Sequence, residues 1–263
     1  MAGNRMVKRG FVMQKYFSVN EQGSSIRCKL YCDSPKGVKK AVLYGHGFSG
    51  HKDNKAAQRF AEYVLKKHRD VAIVTYDAPC HGDDVKKKLS LSDCGAYIGA
   101  VAGHIKGQLG ADELYAYATS FGGYQYLKYI TENSNPFRRI ALRSPAVNMF
   151  DVLSARIMTP DERKALSKNK PVSVGFDRKI RVTQSFLDEL KEADITVRDF
   201  HAYADEILIL HGTKDEVVPF DVVEAFARKN NIRFISVENA DHRFIDPKHM
   251  DIAVKEAAGL FGL

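Results

Sequence analysis

Short apolar segments alternate with amphipathic segments along most of this chain, and this alternation constrains the fold more than any other feature. Val71–Tyr76 and Ile207–Leu210 are almost wholly apolar, as expected for strands that are covered on both faces. Lys55–Lys67 has apolar residues at helical spacing. Strands and helices that alternate in this way form a mostly parallel sheet with helices on both faces. The sequence therefore predicts a single α/β domain over residues 1–263.

The pattern predicts eight strands, of which the first two form an antiparallel hairpin around the turn residues Asn20–Gly23. These strands are Phe11–Val19, Ser25–Cys32, Ala41–Tyr44, Val71–Tyr76, Leu114–Ala118, Ile140–Leu142, Ile207–Leu210 and Arg233–Val237. The predicted helices are Lys55–Lys67, Leu91–Ile105, Phe121–Ile130, Asp221–Arg228 and His249–Phe261.

One long interval interrupts this rhythm, between the strands that end near Leu142 and begin near Ile207. A structureless loop of about 60 residues is uncommon in a compact domain. We expect a small hairpin within Val172–Val182 and a helix over Gln184–Ala193. The interval is therefore interpreted as an inserted cap, at about 146–203, over the edge of the sheet where ligands bind in such folds.

Composition and charge exclude several classes of protein. A chain of 263 residues with 44% hydrophobic residues can bury an ample core without disulfides. No apolar run approaches the ~20 residues of a membrane span, and the first residues lack the apolar region of a secretory signal. We expect four reduced cysteines and a cytoplasmic protein. The net charge of +8 is scattered, so we expect a solvated basic surface and no nucleic-acid partner.

A serine stands where a predicted strand meets a helix, within Ala118–Gly123. A nucleophilic serine needs a tight, strained turn there, and small neighbours such as Gly122 let other backbone approach closely. Such a string is common on its own. The glycine-rich loop Tyr44–Gly50, with Gly45 and Gly47, could present backbone N–H donors to a developing oxyanion. It could equally be a tight turn that needs glycine.

A carboxylate and a histidine follow two later strands. Asp215 comes just after Ile207–Leu210, where a carboxylate can orient a histidine and stabilise its charged form. The alternative for Asp215 is a helix cap. Nine histidines are present, and His242 differs from the others by its place after the last strand, from which it could reach Ser120. His46 and His211 are expected to have structural or supporting roles.

Ser120, Asp215 and His242 occur in the chain order that α/β hydrolases use, and the sequence resembles that superfamily over essentially its whole length. Three motifs look most like the cinnamoyl (feruloyl) esterase-like group: His-Gly-Phe-Ser-Gly at 46–50, His-Gly-Thr-Lys-Asp at 211–215 and Ala-Asp-His-Arg-Phe at 240–244. The chain departs from that group at Ala118-Thr119, where Gly-His is common, and in the 77–82 loop, which lacks the usual Arg-Gly.

The resemblance implies an α/β-hydrolase fold, with a mostly parallel eight-stranded sheet and a small inserted cap. It also implies a catalytic triad of Ser120, Asp215 and His242. Asp215 takes the acid's place rather than Glu216, because it stands at the fifth position of the 211–215 motif. The backbone N–H groups of Phe48 and Phe121 would form the oxyanion hole, supported by Gly45, Gly47 and Gly122.

The resulting expectation is a serine hydrolase that cleaves aryl or short- to medium-chain acyl esters through an acyl-enzyme. No cofactor or metal is expected, because the chain lacks a Walker loop, an H-E-x-x-H motif and a G-x-G-x-x-G motif in a strand–helix unit. The alternatives are an acyl thioesterase, a serine peptidase and a non-catalytic binding protein on the same scaffold. The partner is a small-molecule ester, and the oligomeric state stays open, a homodimer included.

Overall fold

The computed structural model describes residues 6–9, 12–21, 23–176 and 178–263. Its strands are Met6–Arg9 (β1), Val12–Glu21 (β2), Ser24–Cys32 (β3), Lys40–Gly45 (β4), Val71–Tyr76 (β5), Glu113–Thr119 (β6), Ile140–Arg143 (β7), Val172–Val174 (β8), Ile180–Val182 (β9), Ile207–Gly212 (β10) and Arg233–Val237 (β11). Within the described ranges, nine strands form the main sheet, in the order β1-β2-β3-β5-β4-β6-β7-β10-β11, and β8 pairs with β9 separately.

The pairing is antiparallel from β1 to β5 across the sheet and parallel from β5 to β11. All eight predicted strands are present in this sheet, and the mostly parallel α/β architecture is confirmed. Phe11, where we expected the first strand to begin, lies outside the described residues. The ninth strand, β1, was not predicted, because four residues are too few to show a clear period of two.

Helices cover both faces of the sheet. They are Lys55–Leu65 (α1), Leu91–Gln108 (α2), Phe121–Glu132 (α3), Met149–Asp151 (α4), Pro160–Leu166 (α5), Gln184–Glu192 (α6), Phe220–Lys229 (α7) and Pro247–Phe261 (α8). Alternate residues of a central strand enter the two cores: Ala116 packs with residues of α2 and α3, whereas Tyr117 packs with residues of α1 and α8. This two-sided burial explains why the strands read as continuous apolar runs.

The interval between β7 and β10 is filled with short elements, as expected. The predicted hairpin is β8 and β9, and the predicted helix is α6. A π-helical turn at Val152–Ile157 and the helix α5 were not predicted. The residues at the start of α5 are typical of a helix N-terminus: Thr159 and Glu162 form a capping box, with a proline at the first helical position.

Helix α6 is fastened to the two helices below it. Tyr124 in α3 donates a hydrogen bond from its hydroxyl to the carbonyl of Ala193 (2.9 Å). Glu189 in α6 accepts the N–H of Leu91, the first residue of α2 (2.7 Å). The Phe186 ring lies edge-on to that of Phe121, with centroids 6.2 Å apart. These contacts place α6 beside the start of α3.

The turn of the β8–β9 hairpin lies on the loop that follows β4. Gly175, at φ +131°, packs so closely on Ser49 that a Cβ atom built on it would lie 2.0 Å from the Ser49 Oγ. A larger residue would therefore need both a strained backbone and a displaced neighbour. The hairpin turn and the glycine-rich loop thus form one close contact.

Candidate active site

Ser120 lies in the turn between β6 and α3, in a strained backbone conformation with φ 52° and ψ −120°. Its N–H donates to the carbonyl of Arg143 (3.1 Å), and its own carbonyl accepts the N–H groups of Tyr124 (3.2 Å) and Ala146 (3.1 Å). Residues other than glycine adopt such positive φ values rarely, and a structure that holds one there often does so at a functional site. The main chain therefore fixes the position of the Ser120 hydroxyl.

Close backbone approach around Ser120 depends on three glycines that the sequence singled out. A Cβ atom on Gly122 would lie 2.6 Å from the His46 carbonyl oxygen, and one on Gly45 would lie 2.6 Å from the Tyr126 ring. A Cβ atom on Gly47 would lie 3.1 Å from the Cβ of Ser120. The loop after β4 and the start of α3 can therefore pack together only with very small residues at these positions.

The strand register accommodates Ala118, where the esterase-like group that the sequence resembles commonly has glycine. Ala118 pairs with Gly45 on the neighbouring strand β4 and is fully buried. Its methyl group would lie 3.3 Å from a Cβ atom built on Gly45. The extra methyl of Ala118 thus faces a residue that has none, and the turn keeps its shape.

The structure brings the three predicted side chains Ser120, His242 and Asp215 into one hydrogen-bonded row. The Nε2 of His242 lies 3.1 Å from the Oγ of Ser120, and its Nδ1 lies 2.8 Å from Oδ2 of Asp215. Both distances are within hydrogen-bond range. Ser120 and His242 are partly exposed, whereas the Asp215 side chain is fully buried.

The surroundings of Asp215 favour its ionised form. Burial alone would raise the pKa of this carboxyl, but the hydrogen bond and charge of His242, the nearby His211 and the N–H of Val218 together lower it. Oδ1 accepts the N–H groups of Val217 (3.0 Å) and Val218 (2.8 Å), which leaves Oδ2 for His242. An ionised Asp215 only accepts hydrogen bonds, so the Nδ1 of His242 carries the proton and its Nε2 can accept one from Ser120.

Glu216 and His211, which lie near Asp215, have other roles. Among the described residues, the hydrogen bond that Glu216 accepts comes from the backbone N–H of His242, at 3.4 Å. His211 is fully buried, and its Nε2 lies 3.0 Å from the Val218 carbonyl and 3.3 Å from Oδ2 of Asp215. Burial lowers the pKa of His211, so the ring is neutral and donates to that carbonyl. His211 therefore supports the Asp215 turn and does not touch Ser120.

The loop after β4 is shaped by His46. The Nδ1 of His46 lies 2.8 Å from the Gly47 carbonyl, and its Nε2 accepts the N–H of Ala78 (3.0 Å). Burial lowers the pKa of His46, which keeps the ring neutral with its proton on Nδ1. Within the described part of the chain, no hydrogen bond uses the N–H of Phe48 or Phe121. Both predicted oxyanion donors are thus free to bind a ligand.

A buried ion-pair network beside this loop was missed by the sequence reasoning. Asp77 is fully buried and accepts the backbone N–H (2.7 Å) and the Nζ (2.9 Å) of Lys52 and the N–H of Asp83 (2.8 Å). Lys52 also pairs with the side chain of Asp83. Gly82 is required here, because a Cβ atom on it would lie 2.1 Å from Oδ1 of Asp77. The network ties the 46–52 loop to the 77–83 loop.

The four cysteines are unpaired thiols. Within residues 6–9, 12–21, 23–176 and 178–263, His, Cys, Asp and Glu form no cluster of three or more that could hold a metal ion. Over the same ranges, the helices are too short or too polar to cross a bilayer.

The structure of this chain matches those of known proteins. No protein-family profile matches this chain, and no curated protein matches its sequence. It superposes on a protein from Agrobacterium vitis S4 that is named a hydrolase, with a TM-score of 0.76 and 16% identity over 95% of this chain and 98% of that one. It matches Est1E from Butyrivibrio proteoclasticus, solved with ferulic acid, with a TM-score of 0.72 and 18% identity over 93% and 97% of the two chains.

A third match carries the name of the fold. The mouse alpha/beta hydrolase domain-containing protein 10 superposes with a TM-score of 0.69 and 13% identity, over 94% of this chain and 98% of that one. At identities this low, the superpositions establish the fold and not the activity. The expected resemblance to the cinnamoyl esterase-like group stays a prediction. Sheet order, the position of Ser120 and these superpositions agree on one conclusion: this chain has the α/β-hydrolase fold.

Proposed function

We propose that this protein is a serine hydrolase that cleaves carboxylic esters, with Ser120 as nucleophile, His242 as general base and Asp215 as the group that orients His242. The observation that carries this proposal is the hydrogen-bonded row of these side chains, with distances of 3.1 and 2.8 Å. A nucleophile, a base within hydrogen-bond reach and a third group that orients the base are what nucleophilic catalysis requires.

The reaction proceeds in two steps. His242 Nε2 takes the proton of Ser120 Oγ as that oxygen attacks the ester carbonyl carbon, and Asp215 stabilises the imidazolium that forms. His242 then gives this proton to the leaving alcohol, and the acyl group stays on Ser120. Water attacks the acyl-enzyme in the second step, with His242 again as base, and releases the acid and free Ser120.

The oxyanion of each tetrahedral intermediate would rest on the N–H groups of Phe48 and Phe121. Neither group is used by another hydrogen bond among the described residues. The loop that carries Phe48 is held by the His46 contacts and by the Lys52–Asp77 pair, so its donors need little rearrangement. Each preorganised donor of this kind is worth about 2.7–4 kcal/mol in the transition state.

Residues 146–203 are proposed as a cap that walls the acyl or aryl group of the substrate. Of the large apolar side chains in this segment, Met149, Met158 and Phe186 are buried in packing, whereas Phe150 is half-buried and Phe176 is 54% exposed. The last two are therefore the residues of this set that could contact a substrate. Aromatic side chains of this kind suit aryl esters or short- to medium-chain acyl esters, and Est1E, which shares the fold, was solved with ferulic acid.

The test is hydrolysis of p-nitrophenyl acetate by the purified protein and by Ser120→Ala. We expect turnover by the wild type, and only the uncatalysed rate with the variant, because the variant lacks the hydroxyl that is proposed to attack the ester. A fluorophosphonate probe should label the wild type and not the variant. Turnover that survives in Ser120→Ala would refute the assignment. A wild type that neither turns over nor takes the label would favour a non-catalytic binding protein on this scaffold.

A specific observation favours acyl thioesters as the second substrate class. Segment 163–181 contains seven basic residues and one acidic residue. All seven basic side chains are exposed, and they are Arg163, Lys164, Lys168, Lys170, Arg178, Lys179 and Arg181. Because this segment includes the hairpin that contacts Ser49, an anionic thioester carrier would meet positive charge near the site.

A panel of substrates separates these classes. Hydroxycinnamate esters, acyl p-nitrophenyl esters, acyl-coenzyme A thioesters and peptide substrates should be compared by kcat/KM at low and high salt. A preference for the thioester that falls steeply with salt would support the second class. Peptide cleavage would point to a peptidase. The cytoplasmic location expected from the sequence remains a prediction, which imaging of a tagged full-length chain would test.

A further inference from the structure

Arg143 is a buried cation at the centre of the sheet edge that carries the site. It is the last residue of β7, between Thr119 on β6 and Leu210 on β10, and it is only 6% exposed. The sequence reasoning ended this strand at Leu142 and gave Arg143 no role. Its position places it beside both halves of the proposed catalytic row.

Two contacts connect Arg143 to the two ends of the Ser120–His242 hydrogen bond. Its carbonyl accepts the N–H of Ser120 (3.1 Å). Its guanidinium Nη1 donates to the carbonyl of Arg243 (2.6 Å), the residue directly after His242. One residue therefore holds the main chain at the nucleophile and the main chain beside the base.

A third contact fixes the turn that contains His242. The Arg143 guanidinium carbon lies 5.2 Å from the centroid of the Phe244 ring, a cation–π geometry. Phe244 has a positive φ of 54° and donates its N–H to the carbonyl of Asp241 (3.2 Å). Residues 241–244 thus form a tight, strained turn, and Arg143 contacts its last two residues.

The charge of Arg143 is costly to bury, and it lacks the usual compensation. Within the described residues, no carboxylate forms a salt bridge with Arg143, and its Nε has no hydrogen-bond partner. A buried charge without an opposite charge is unfavourable, and an apolar side chain of similar volume is often neutral or stabilising at such a site. Packing therefore does not account for an arginine at this position, whereas its reach to the Arg243 carbonyl and the Phe244 ring does.

We propose that Arg143 is a positioning residue that keeps the His242 imidazole aligned with the Ser120 hydroxyl. This inference rests on the proposed serine-hydrolase function. Arg143 acts through the 241–244 turn and does not touch the reacting atoms. Without the guanidinium, the 241–244 turn loses its hydrogen bond and its cation–π contact with residue 143, and the Nε2 of His242 moves relative to Ser120. A displacement of 1 Å in such a row can lower the rate by about 100-fold.

The experiment compares Arg143→Met with the wild type on p-nitrophenyl acetate. We expect kcat to fall by about 100-fold while KM stays within about threefold, because the defect lies in proton transfer and not in substrate binding. The rate of labelling by a fluorophosphonate probe should fall in parallel, since that reaction also needs an activated Ser120. Arg143→Lys, which keeps the cation and its donors on a shorter reach, should recover part of the loss in kcat.

A control separates positioning from loss of stability. Ile105→Ala removes a fully buried side chain in α2, outside the proposed site. We expect it to unfold at lower urea concentration, with kcat per folded molecule unchanged. If Arg143→Met keeps the wild-type kcat, or if Arg143→Lys is no better than Arg143→Met, the proposal is wrong. If Ile105→Ala loses kcat as Arg143→Met does, stability alone explains the effect and the proposal is also wrong.

Two further results keep the inference testable. If Arg143→Met does not fold, Phe244→Leu removes the ring from the guanidinium and leaves the charge in place. It should lower kcat and the labelling rate together, and an unchanged kcat in this variant would overturn the proposal. Failure of the proposed function is recognised separately, because in that case either the wild type would show neither turnover nor label, or Ser120→Ala would keep the wild-type turnover, whatever the Arg143 variants do.

Discussion

The two ends of the Ser120–His242–Asp215 row are held in place by different means. At the Ser120 end, the main chain does the holding: the turn is strained, its N–H and carbonyl are hydrogen-bonded, and glycines allow the close approach. At the His242 end, side chains do it. Asp215 contacts the imidazole, and Arg143 contacts the carbonyl of the next residue.

The two ends of the row therefore tolerate different changes. A half that depends on backbone approach is sensitive to the addition of a single methyl group, because backbone atoms cannot move aside as a flexible side chain can. A half that depends on side-chain contacts is sensitive to their removal, and it then fails through misorientation while the fold persists.

Removal of the orienting carboxylate should have the largest effect. Asp215→Asn keeps the shape of the side chain but can present an N–H to His242, which favours the wrong tautomer. We expect kcat for p-nitrophenyl acetate to fall by about 10⁴-fold, less than the loss in Ser120→Ala, with an unchanged far-ultraviolet circular dichroism spectrum. The neighbouring Glu216→Gln is the matched control and should stay close to wild type, since Glu216 touches only the His242 backbone. Equal losses in both variants would show that Asp215 has no special role.

Addition of one methyl group at Gly122 should have the next largest effect. A Cβ atom there would lie 2.6 Å from the His46 carbonyl oxygen and 2.8 Å from that of Gly45, both backbone atoms. We expect Gly122→Ala to cost about 1–3 kcal/mol in the free energy of unfolding, as overpacking does, and to lower kcat by about 100-fold through the displaced loop.

The matched control for Gly122→Ala is Gly107→Ala, in the last turn of α2, where a Cβ atom would meet nothing within 4 Å. Alanine suits a helix better than glycine, so this variant should gain about 0.5–1 kcal/mol in urea unfolding. Its kcat should not change. If Gly122→Ala behaves like its control, the tight contact does not govern the position of Ser120.

The smallest effect at neutral pH concerns the pH dependence of stability. Burial, then the nearby His46, lowers the pKa of His81 from 6.5 to about 3, against a weaker opposing effect of the Pro79 carbonyl. The unfolded chain therefore binds a proton at His81 that the folded chain does not, so stability falls as the pH drops from 6.5 towards 3. This group contributes at most about 1.4 kcal/mol per pH unit to that slope.

His81→Phe should make the fall in stability less steep between pH 6.5 and pH 3, because phenylalanine does not titrate. Urea unfolding of the variant and the wild type at several pH values measures this slope. Part of the slope should remain, since burial also lowers the pKa of His46 and of His211. Identical slopes in the two proteins would mean that His81 is protonated in the folded state.

The elements that the sequence predicted well are those set by local pattern. The eight strands follow from short apolar or alternating runs, and the meeting of Ser120 and His242 follows from their places after strands, in an order that α/β hydrolases share. The Asp215 end was harder, because a carboxylate after a strand can also cap a turn. In the structure it does both, with Oδ1 on two backbone N–H groups and Oδ2 on His242.

The parts that escaped prediction depend on contacts between distant residues. Lys52 and Asp77 are 25 positions apart, and Arg143 contacts a carbonyl 100 positions away. No period or motif marks such pairs, because their meeting depends on the order of the strands in the sheet. The α5 helix is different: its capping box is visible in the sequence, but its seven residues are too few to show a clear helical period.

The close packing of Gly175 on Ser49 limits how segments of this protein could be exchanged with those of proteins that share its fold. A chimaera that exchanges the interval between β7 and β10 would have to supply a glycine directly after the first strand of its hairpin, or a different route past residue 49. A donor segment that matches only in length would displace the loop that carries Phe48. It would thereby disturb a proposed oxyanion donor without touching it. Compatibility at that single position is the first criterion for grafting new specificity onto this scaffold.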